Sequence, residues 1–162
     1  MISLVRVDNR LIHGQVVEAW LPELKVSRVA IADDEAARSP LVRAAMGLAV
    51  QSAIDVLIQP VAEAAYAELS TDAKKTLVLV RDLPALMAAR ARGLQFNHVN
   101  LGNVHFAPGR RQVSPSVFLS QEELERLREL DGAGVEVEAR GVPTDRPVSF
   151  KEMVERFARG AP

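Results

Sequence analysis

Short apolar runs that alternate with longer amphipathic segments restrict the fold of this chain more than any other feature. The runs occupy residues 2–7, 26–32, 54–58, 76–80 and 98–101, and each has about the length of a β-strand. Most of them are apolar at successive positions, which is typical of strands that are covered on both faces. Strands that alternate with helices predict an α/β fold in which helices flank a parallel sheet.

Helix start signals occupy the segments between these runs. Ser39 is a good N-cap, and Pro40 follows at the first helical position, where a missing N–H costs nothing. Ser120 and Glu123 form the sequence pattern of a capping box, which predicts another helix. Further helices are predicted near Gly14, between Asp82 and Gly93, and after Ser149. The helix near Gly14 is expected to bury Val16, Val17, Trp20 and Leu21.

The second half of the chain has weaker strand signals. Residues 116–119 fit a short strand. Residues 134–140 alternate apolar with charged side chains, which predicts an edge strand with one face in water. Residues 102–115 contain proline and glycine and form the longest predicted irregular segment, which we expect to be a functional loop.

Length and charge indicate a single domain without a nucleic-acid surface. The 162 residues suit one domain, 1–162, and apolar residues make up 48% of them, enough for a hydrophobic core. The 20 Lys and Arg residues nearly balance the 21 Asp and Glu residues. We therefore expect neither nucleic acid nor a membrane surface as an electrostatic partner.

Three absences narrow the class of protein further. The chain contains no cysteine, which excludes a disulfide scaffold, a thiolate metal site and a cysteine nucleophile. No apolar run approaches the roughly 20 residues that cross a bilayer. The N-terminal residues show no secretory signal, so a cytoplasmic location is expected.

Polar residues at the carboxyl ends of the predicted strands are the candidates for a binding site, because ligands of such sheets bind there. The candidates are Asp8, Asn9, Arg10, His13, Asp33, Asp34, Gln59, Arg81, Gly102, Asn103 and His105. Neither a G-x-G-x-x-G nor a G-x-x-x-x-G-K-[ST] loop follows any strand, so no nucleotide cofactor is expected. The histidines and carboxylates lack the spacing of a metal site, so no metal is expected either.

Residues 6–16 carry the strongest chemical signal. His13 is predicted at a turn between strand and helix, where the free N–H groups of the helix terminus favour an anion. Arg10 adds a fixed positive charge suited to phosphate oxygens, and Gly14 lets the backbone approach an anion closely. Asp8 is placed to hold one imidazole nitrogen and leave the other free to attack. This pattern suits the acceptance of a phosphoryl group.

The same candidates also have structural interpretations. His13 fits a helix cap as well as a nucleophile, and Arg6 fits a strand residue paired with a carboxylate. The alternatives for the others are helix caps for Asp33 and Asp34, an ion pair with Asp82 for Arg81, a core position for His98 and a solvated loop position for His105.

Residues 5–16, with the sequence VRVDNRLIHGQV, closely resemble the active-site segment of one class of bacterial proteins. These are the IIB components of the mannose/fructose/sorbose class of sugar phosphotransferase systems. The similarity continues at residues 32–36 (ADDEA), 99–105 (VNLGNVH), 107–112 (APGRRQ), 134–138 (GVEVE) and 142–148 (VPTDRPV). The resemblance therefore covers almost the whole chain.

The resemblance implies both a fold and an activity. The fold is a three-layer α/β/α arrangement with a mostly parallel six-stranded sheet in the order 3-2-4-1-5-6, to which an antiparallel edge strand can be added. The activity is that of a phosphotransferase with a phosphohistidine intermediate at His13. The phosphoryl group would come from a phosphohistidine on a IIA domain and pass to a sugar bound by the membrane components IIC and IID. The protein would then be cytoplasmic and peripherally associated with those components.

Site roles follow from the resemblance and from the chemistry of the segment. We expect His13 to be the nucleophile and Asp8 to orient His13 or Arg10. Arg10 and the backbone N–H groups of Gly14 and Gln15 are expected to stabilise the phosphoryl group. Further phosphate-binding candidates, chosen because they lie at strand ends, are Arg6, Asp34, Arg81 and Asn103. No metal or other cofactor is expected.

Two other functions are compatible with the same residues. A regulatory phosphoprotein would use phosphate on His13 to control a partner, without sugar transport. A non-catalytic module would bind a small anion at the same helix terminus. Arg110 and Arg111 fit either a contact with an acidic partner or a solvated pair of charges.

Overall fold

A sheet of seven strands forms the middle layer of the protein in this computed structural model, which describes residues 1–160. The described residues contain nine strands, seven in this sheet and two in a separate pair. These are β1 (Ile2–Asp8), β2 (Arg28–Ala32), β3 (Asp55–Gln59), β4 (Thr76–Val80), β5 (His98–Asn103), β6 (Arg111–Ser114), β7 (Val117–Leu119), β8 (Glu136–Ala139) and β9 (Val148–Ser149). The last two residues of the predicted domain 1–162 lie outside the described residues.

The strand order confirms the expected fold class. The sheet has the order β3-β2-β4-β1-β5-β8-β9, and β6 and β7 form a separate pair. Neighbours in the sheet are parallel except β8 and β9. The predicted order 3-2-4-1-5-6 is therefore correct, with β8 in the sixth place and β9 as the added antiparallel edge strand.

Helices cover both faces of this sheet. A π-helical segment, Val16–Trp20, continues into α1 (Leu21–Leu24). The later helices are α2 (Asp34–Arg38), α3 (Pro40–Ala49), α4 (Tyr66–Thr71), α5 (Leu83–Ala91), α6 (Gln121–Gly132) and α7 (Phe150–Arg159). No helix within residues 1–160 is both long and apolar enough to cross a membrane.

Local capping explains where most of the helices begin. Side-chain oxygens of Ser39, Asp82, Ser120 and Ser149 each accept a hydrogen bond from a first-turn N–H, which confirms the predicted starts of α3, α5, α6 and α7. The sequence predicts no helix at α4. Its N-cap is Ala65, which has no capping side chain and therefore leaves no start signal.

The first helical run begins at Gly14, as the sequence predicts. Val16, Trp20 and Leu21 are buried as expected, whereas Val17 is only half-buried. The run ends at Lys25, which has a left-handed φ of 50°. The run places the turn that carries His13 directly after the end of β1.

The central strand β1 contains charged residues at positions that face the core. Leu4 packs in the same cluster as Trp20, whereas Val5 belongs to the cluster on the opposite face. Because side chains alternate along a strand, Arg6 and Asp8 lie on the same face as Leu4. Both charged residues are fully buried. Such groups are costly unless they are paired, so they mark this end of the sheet as a candidate functional site.

The hairpin of β6 and β7 corrects one prediction and confirms another. Residues 102–115 are not irregular throughout, because they contain β6, whose sequence RQVS forms no apolar run. The short strand predicted at residues 116–119 is β7, which pairs antiparallel with β6. An isolated bridge between Val104 and Val117 connects the hairpin to the residue after β5.

The prediction that residues 134–140 form an edge strand with one face in water is wrong. β8 lies between β5 and β9, so it is not the edge. Glu138 is only 4% exposed. Asn100 and Arg140 donate hydrogen bonds to its carboxylate at 3.2 and 2.9 Å, which makes this burial tolerable. The alternating pattern locates the strand but does not show that its charged face is covered.

α3 differs from the other long helices because none of its residues is buried. Leu41 and Leu48 are 80% and 87% exposed. Arg43, the only charged residue of α3, donates from Nη1 to the main-chain oxygen of Ile58 at 2.9 Å. That contact covers part of the free edge of β3 and leaves the outer face of α3 apolar.

Candidate functional site

A tight turn holds the loop between β1 and the first helix. The N–H of Leu11 donates to the main-chain oxygen of Asp8 at 3.0 Å. Leu11 has a left-handed φ of 57°, and its side chain is buried. That conformation costs a non-glycine residue roughly 1–2 kcal/mol, which burial of the leucine side chain offsets. The turn therefore presents His13 at a defined place beyond the strand.

The carboxylate of Asp8 is the centre of the site, and it is fully buried. Its Oδ2 accepts hydrogen bonds from Nη2 of Arg6 at 2.9 Å and from Nε2 of His13 at 2.8 Å. Its Oδ1 accepts from the main-chain N and the Nε of Arg10, at 3.1 and 3.2 Å. Asp8 thus contacts both of the residues that the sequence predicts it to orient.

The charge of Asp8 decides which imidazole nitrogen of His13 is available. Burial raises the pKa of Asp8, but the hydrogen bond from His13 and the charge of Arg6 outweigh burial and lower that pKa to about 2. An ionised carboxylate can only accept, so Nε2 of His13 carries the shared proton. In the neutral ring, Nδ1 then holds the lone pair. Nδ1 is neither buried nor hydrogen-bonded within residues 1–160.

Open donor groups surround the accessible side of His13. The side chain of Arg10 is 42% exposed, and its Nη2 donates to Oε1 of Gln15 at 3.1 Å. Gly14 and Gln15 are exposed and begin the helical run, where N–H groups have no partner in the helix. These groups can receive an anion beside His13. No cluster of three or more metal-ligating side chains exists among the described residues.

Arg6 lies beneath Asp8 and not at the open surface. Arg6 has further partners besides Asp8. Its Nη1 donates to the side-chain oxygen of Asn100 and to the main-chain oxygen of Arg140, the latter at 3.1 Å. Its Nη2 donates to the main-chain oxygen of Gly141 at 3.1 Å. No contact of Arg6 reaches the open side of the loop, so the expectation that it binds phosphate has no support from its position.

Sequence reasoning missed the partners of Arg6. Asn100 on β5 and Glu138 on β8 are buried and take matching register positions beside it. Trp20 lies against the guanidinium of Arg6, 5.1 Å from ring centroid to Cζ, and its Nε1 donates to the main-chain oxygen of Gly141 at 2.8 Å. A polar residue inside an apolar run, as Asn100 is, is the signal that could have indicated this network.

A second network holds the loop from the side. Nδ2 of Asn9 lies 3.0 Å from Nδ1 of His105, and Oδ1 of Asn9 accepts from Asn103. The main-chain oxygen of Asn9 accepts from Nη1 of Arg81 at 3.2 Å. Arg81 and Asn103 therefore reach the loop between β1 and the first helix, but they contact Asn9 and not His13. The cleft beside them measures about 250 Å³ and is lined by Asn9, Arg81, Asp82, Val104, His105, Ala107 and Arg110.

The two aspartates after β2 have different contacts. Asp33 caps α2 by accepting from the N–H of Ala36 at 2.9 Å, and it binds Nε and Nη2 of Arg81 at 2.8 Å each. Burial raises the pKa of Asp33, but the hydrogen bonds from Arg81 and the cap lower it overall. Asp34 accepts from a main-chain N–H in the loop after β3 at 2.9 Å. Within residues 1–160 it has no contact with His13, so its predicted phosphate binding has no support.

The pair Arg110 and Arg111 is bound into the fold. Arg110 donates from Nε to Glu123 at 3.1 Å and from Nη1 to the main-chain oxygen of His105 at 2.8 Å. Arg111 lies 4.9 Å from the ring centroid of Phe157 and donates to its main-chain oxygen at 3.1 Å. These bonds contradict the interpretation as a solvated charge pair, and the contact with an acidic partner stays a prediction.

Known proteins are similar to this sequence over almost its full length. The family model described as PTS system sorbose subfamily IIB component matches residues 2–160. The N-acetylgalactosamine-specific phosphotransferase enzyme IIB component 2 of Escherichia coli is 30% identical over 156 residues, 94% of this chain and 98% of that protein. The mannose-specific EIIAB component of Escherichia coli is 26% identical over 159 residues. That match covers 97% of this chain but 49% of the relative, so the chain spans about half of its length.

A solved structure shares the fold as well. The IIBSor domain of the sorbose permease from Klebsiella pneumoniae has a TM-score of 0.84 and 25% sequence identity, covering 96% of this chain and 97% of that chain. The family is one of phosphotransferases in sugar transport. Since the family model matches residues 2–160 and the fold agrees, the chain belongs to the sorbose subfamily of PTS IIB components.

Proposed function

We propose that this protein is a cytoplasmic phosphoryl carrier of a sugar phosphotransferase system and that His13 accepts the phosphoryl group. The donor is a phosphohistidine on a IIA domain. The acceptor is a sugar held by the membrane components IIC and IID, with which the protein associates peripherally. The observation that carries the proposal is the 2.8 Å contact between Nε2 of His13 and the buried Asp8, because it leaves Nδ1 open.

The chemistry is a direct transfer between two imidazole rings. The lone pair on Nδ1 of His13 forms the new N–P bond while the bond between phosphorus and the donor nitrogen breaks. The donor ring leaves with that electron pair as a neutral imidazole. The ring of His13 becomes cationic, and its Nε2–H remains hydrogen-bonded to the carboxylate of Asp8, which stabilises the new charge.

Asp8 maintains this geometry without taking the proton. Its pKa of about 2 keeps the carboxylate ionised at neutral pH, so the shared proton stays on Nε2 of His13. When the phosphoryl group moves to a sugar hydroxyl, the N–P bond breaks, its electron pair returns to Nδ1, and the proton of the hydroxyl leaves with the sugar phosphate. The ring then has the same neutral tautomer as before. The carrier is then ready for the next transfer.

Arg10, Gly14 and Gln15 are the groups that we assign to the phosphoryl oxygens. The guanidinium of Arg10 is held by Asp8 and Gln15 through Nε and Nη2, which leaves Nη1 for an incoming oxygen. A Cβ at Gly14 would meet no atom within 4 Å, so there is space above the helix terminus. Fixed donors that need no rearrangement stabilise transferring charge well.

The names of relatives support the choice of partner. The Escherichia coli relative specific for mannose is an EIIAB component, and this chain matches about half of it. The donor that we propose is therefore a IIA domain. Relatives are named for N-acetylgalactosamine, mannose and sorbose, so the proposal leaves the sugar unassigned.

Phosphoryl transfer in vitro tests the carrier role. The protein is incubated with phosphoenolpyruvate, the general phosphotransferase proteins and a IIA domain, and bound phosphate is tested for acid lability and alkali stability. We expect label on the wild type and on His105→Gln, the matched histidine control, and none on His13→Gln. A folded wild type that takes no label from a IIA domain competent toward another IIB component contradicts the proposal.

An assay with membranes that contain IIC and IID distinguishes a role in sugar transport from a regulatory role. We expect the labelled protein to lose phosphate to a sugar and to produce a sugar phosphate. Label that stays on His13 with every candidate sugar, under conditions in which another IIB component is discharged, supports a regulatory phosphoprotein instead.

A further inference from the structure

Three buried polar side chains stand side by side across the sheet. Arg6 on β1 is in register with Asn100 on β5, and Asn100 is in register with Glu138 on β8. Asn100 accepts a hydrogen bond from Arg6 and donates from Nδ2 to Glu138 at 3.2 Å. None of the three is more than 4% exposed. A row of polar groups is costly inside a sheet, so its presence requires an explanation beyond packing. We call this row the polar ladder.

Arg6 connects the polar ladder to Asp8. Its Nη2 donates to Asp8 at 2.9 Å, and its two Nη atoms also bind Asn100 and the main-chain oxygens of residues 140 and 141. Several bonds in different directions fix the plane of the guanidinium. The oxygen that Arg6 holds, Oδ2, is also the oxygen that accepts from Nε2 of His13.

The absence of a side chain at Gly102 makes room for this guanidinium. A Cβ at Gly102 would lie 2.1 Å from both Cζ and Nη2 of Arg6, far inside contact distance. A larger residue there would displace the guanidinium. Gly132, which is exposed in α6, would meet no atom within 4 Å if it carried a Cβ. The two glycines therefore form a matched pair for substitution.

The charges of the ladder are compensated internally. Arg6 faces Asp8, and Arg140 donates from Nη2 to Glu138 at 2.9 Å. Trp20 lies against both guanidinium groups, 5.1 Å from Cζ of Arg6 and 5.3 Å from Cζ of Arg140. An enclosed row with paired charges is not a binding site for an external ion. Arg6 connects the ladder to the carboxylate of Asp8, and Asp8 in turn contacts His13. The ladder can therefore act on His13 through Asp8.

We propose that Arg6 is a positioning residue for phosphoryl transfer, held by Asn100, Glu138 and the space at Gly102, and that it fixes the tautomer of His13 through Asp8. The inference rests on the proposed carrier role of His13. Arg6 is fully buried and does not touch the phosphoryl group. If the guanidinium moves, Arg10 still holds Oδ1 of Asp8, but Oδ2 keeps only the long 3.4 Å contact from Nη2 of Arg10 besides His13. The oxygen that faces His13 is then less firmly placed, and its selection of Nε2 as the protonated nitrogen weakens.

Comparison of Gly102→Ala with the control Gly132→Ala tests this inference. Nitrogen-15 NMR of the imidazole reports the tautomer of His13 directly and needs no phosphate transfer. We expect the Nε2-protonated form in the wild type and in Gly132→Ala, and a mixture of tautomers in Gly102→Ala. The maximal rate of phosphorylation by IIA should fall about 10- to 100-fold in Gly102→Ala, because small misplacements cost that much. The IIA concentration at half-maximal rate should stay nearly unchanged.

The inference is overturned if both glycine variants are folded and share the wild-type tautomer and rate. If Gly102→Ala does not fold, Arg6→Lys decides by the same two readouts. Its ammonium keeps the charge but cannot hold Asp8, Asn100 and two main-chain oxygens together, and wild-type behaviour in this variant also overturns the inference. A wild type that takes no phosphate defeats the proposed function, whereas the NMR comparison still shows separately whether Arg6 fixes the tautomer of His13.

Discussion

Two networks hold the loop that carries His13, and they differ mainly in their exposure to water. Beneath the loop, Arg6 binds Asp8 at 2.9 Å, and both side chains are fully buried. At the side of the loop, Arg81 binds Asp33 with two contacts of 2.8 Å, and the side chain of Arg81 is 34% exposed. Both are pairs of arginine and aspartate, so they differ in burial and in their neighbours. Asp8 also accepts from Nε2 of His13, whereas the carboxylate of Asp33 accepts from Arg81 and from a main-chain N–H of α2.

The difference explains why we expect only one of the two pairs to control the imidazole of His13. A buried charge that loses its partner has no water to replace it, so its position depends entirely on the protein. A partly exposed arginine exchanges protein contacts for water at a smaller cost. The pair of Arg6 and Asp8 can therefore set the geometry of His13, whereas the pair of Arg81 and Asp33 joins the loop to α2. This contrast predicts effects of graded size.

The largest effect is expected for Asp8→Asn. The amide keeps the size of the carboxylate but leaves Arg6 without its counter-charge, which should lower the free energy of unfolding by about 3–5 kcal/mol. Phosphorylation of His13 should also be strongly reduced, because the one remaining oxygen cannot accept from Arg6, Arg10 and His13 together. The side chain then no longer selects Nε2 as the protonated nitrogen. Urea unfolding and the phosphate assay measure the two effects. Asp131→Asn, at an exposed position, should change neither the free energy of unfolding nor phosphorylation. If both variants behave alike, the buried pair contributes no more than an exposed residue, and the proposed distinction between the two networks is wrong.

The next largest effect is expected at acid pH, where protonation of Asp8 should lower the free energy of unfolding. The pKa of Asp8 is lowered from an ordinary 3.8 to about 2. A carboxyl with a lowered pKa stabilises the fold fully above its unfolded value, and this stabilisation is lost as the pH falls through the folded value. The loss should reach about 2 kcal/mol between pH 5 and pH 2. Urea unfolding at several pH values should show this slope in the wild type and a shallower slope in Asp8→Asn. Parallel slopes would show that Asp8 does not carry it.

Local signals explain how much of the fold could be predicted. Each helix cap at Ser39, Asp82, Ser120 and Ser149 depends on residues within one turn, so the sequence alone identifies it. Central strands are apolar at nearly every position and stand out equally well. β6 and α4 have neither signal, because the strand is mixed in polarity and the helix has no capping side chain. The strand order followed from the family resemblance and not from local patterns.

The residues of the candidate site also differ in how far the sequence could predict them, because some contacts are local and others are not. Asp8, Arg10 and His13 lie within six residues of one another, so their spacing already suggested a common role. The contact between Arg6 and Asn100 joins residues that are 94 positions apart, and no local pattern shows it. Whether Arg6 faces a phosphate or a buried carboxylate depends on which layer covers each face of β1. That is a tertiary property, which explains why the sequence left both interpretations of Arg6 open, a phosphate-binding residue and a strand residue paired with a carboxylate.

A smaller effect is expected for Arg81→Gln. Asp33 keeps the hydrogen bond from the N–H of Ala36 and gains access to water, so the free energy of unfolding should fall by only about 1–2 kcal/mol. The rate of phosphorylation should fall less than in Asp8→Asn. Arg146→Gln is the matched control, because Arg146 also makes two contacts of 2.9 Å with a carboxylate, Glu152, but in water. Urea unfolding should detect no change there. A loss as large as that of Asp8→Asn in Arg81→Gln would mean that the side network also determines the site.

The smallest effect is expected at the exposed face of α3. Leu48 is 87% exposed, so Leu48→Gln removes almost no packing and should change the free energy of unfolding by less than about 0.5 kcal/mol. Leu127→Ala in α6 is the buried counterpart, at 0% exposure, and should cost about 2–5 kcal/mol. Urea unfolding measures both variants. Phosphorylation by IIA should be unchanged in Leu48→Gln, because α3 contributes no group to the loop of His13. A lower rate in a fully stable Leu48→Gln would place this apolar face in the contact with the donor, and the two networks would then not account for transfer by themselves.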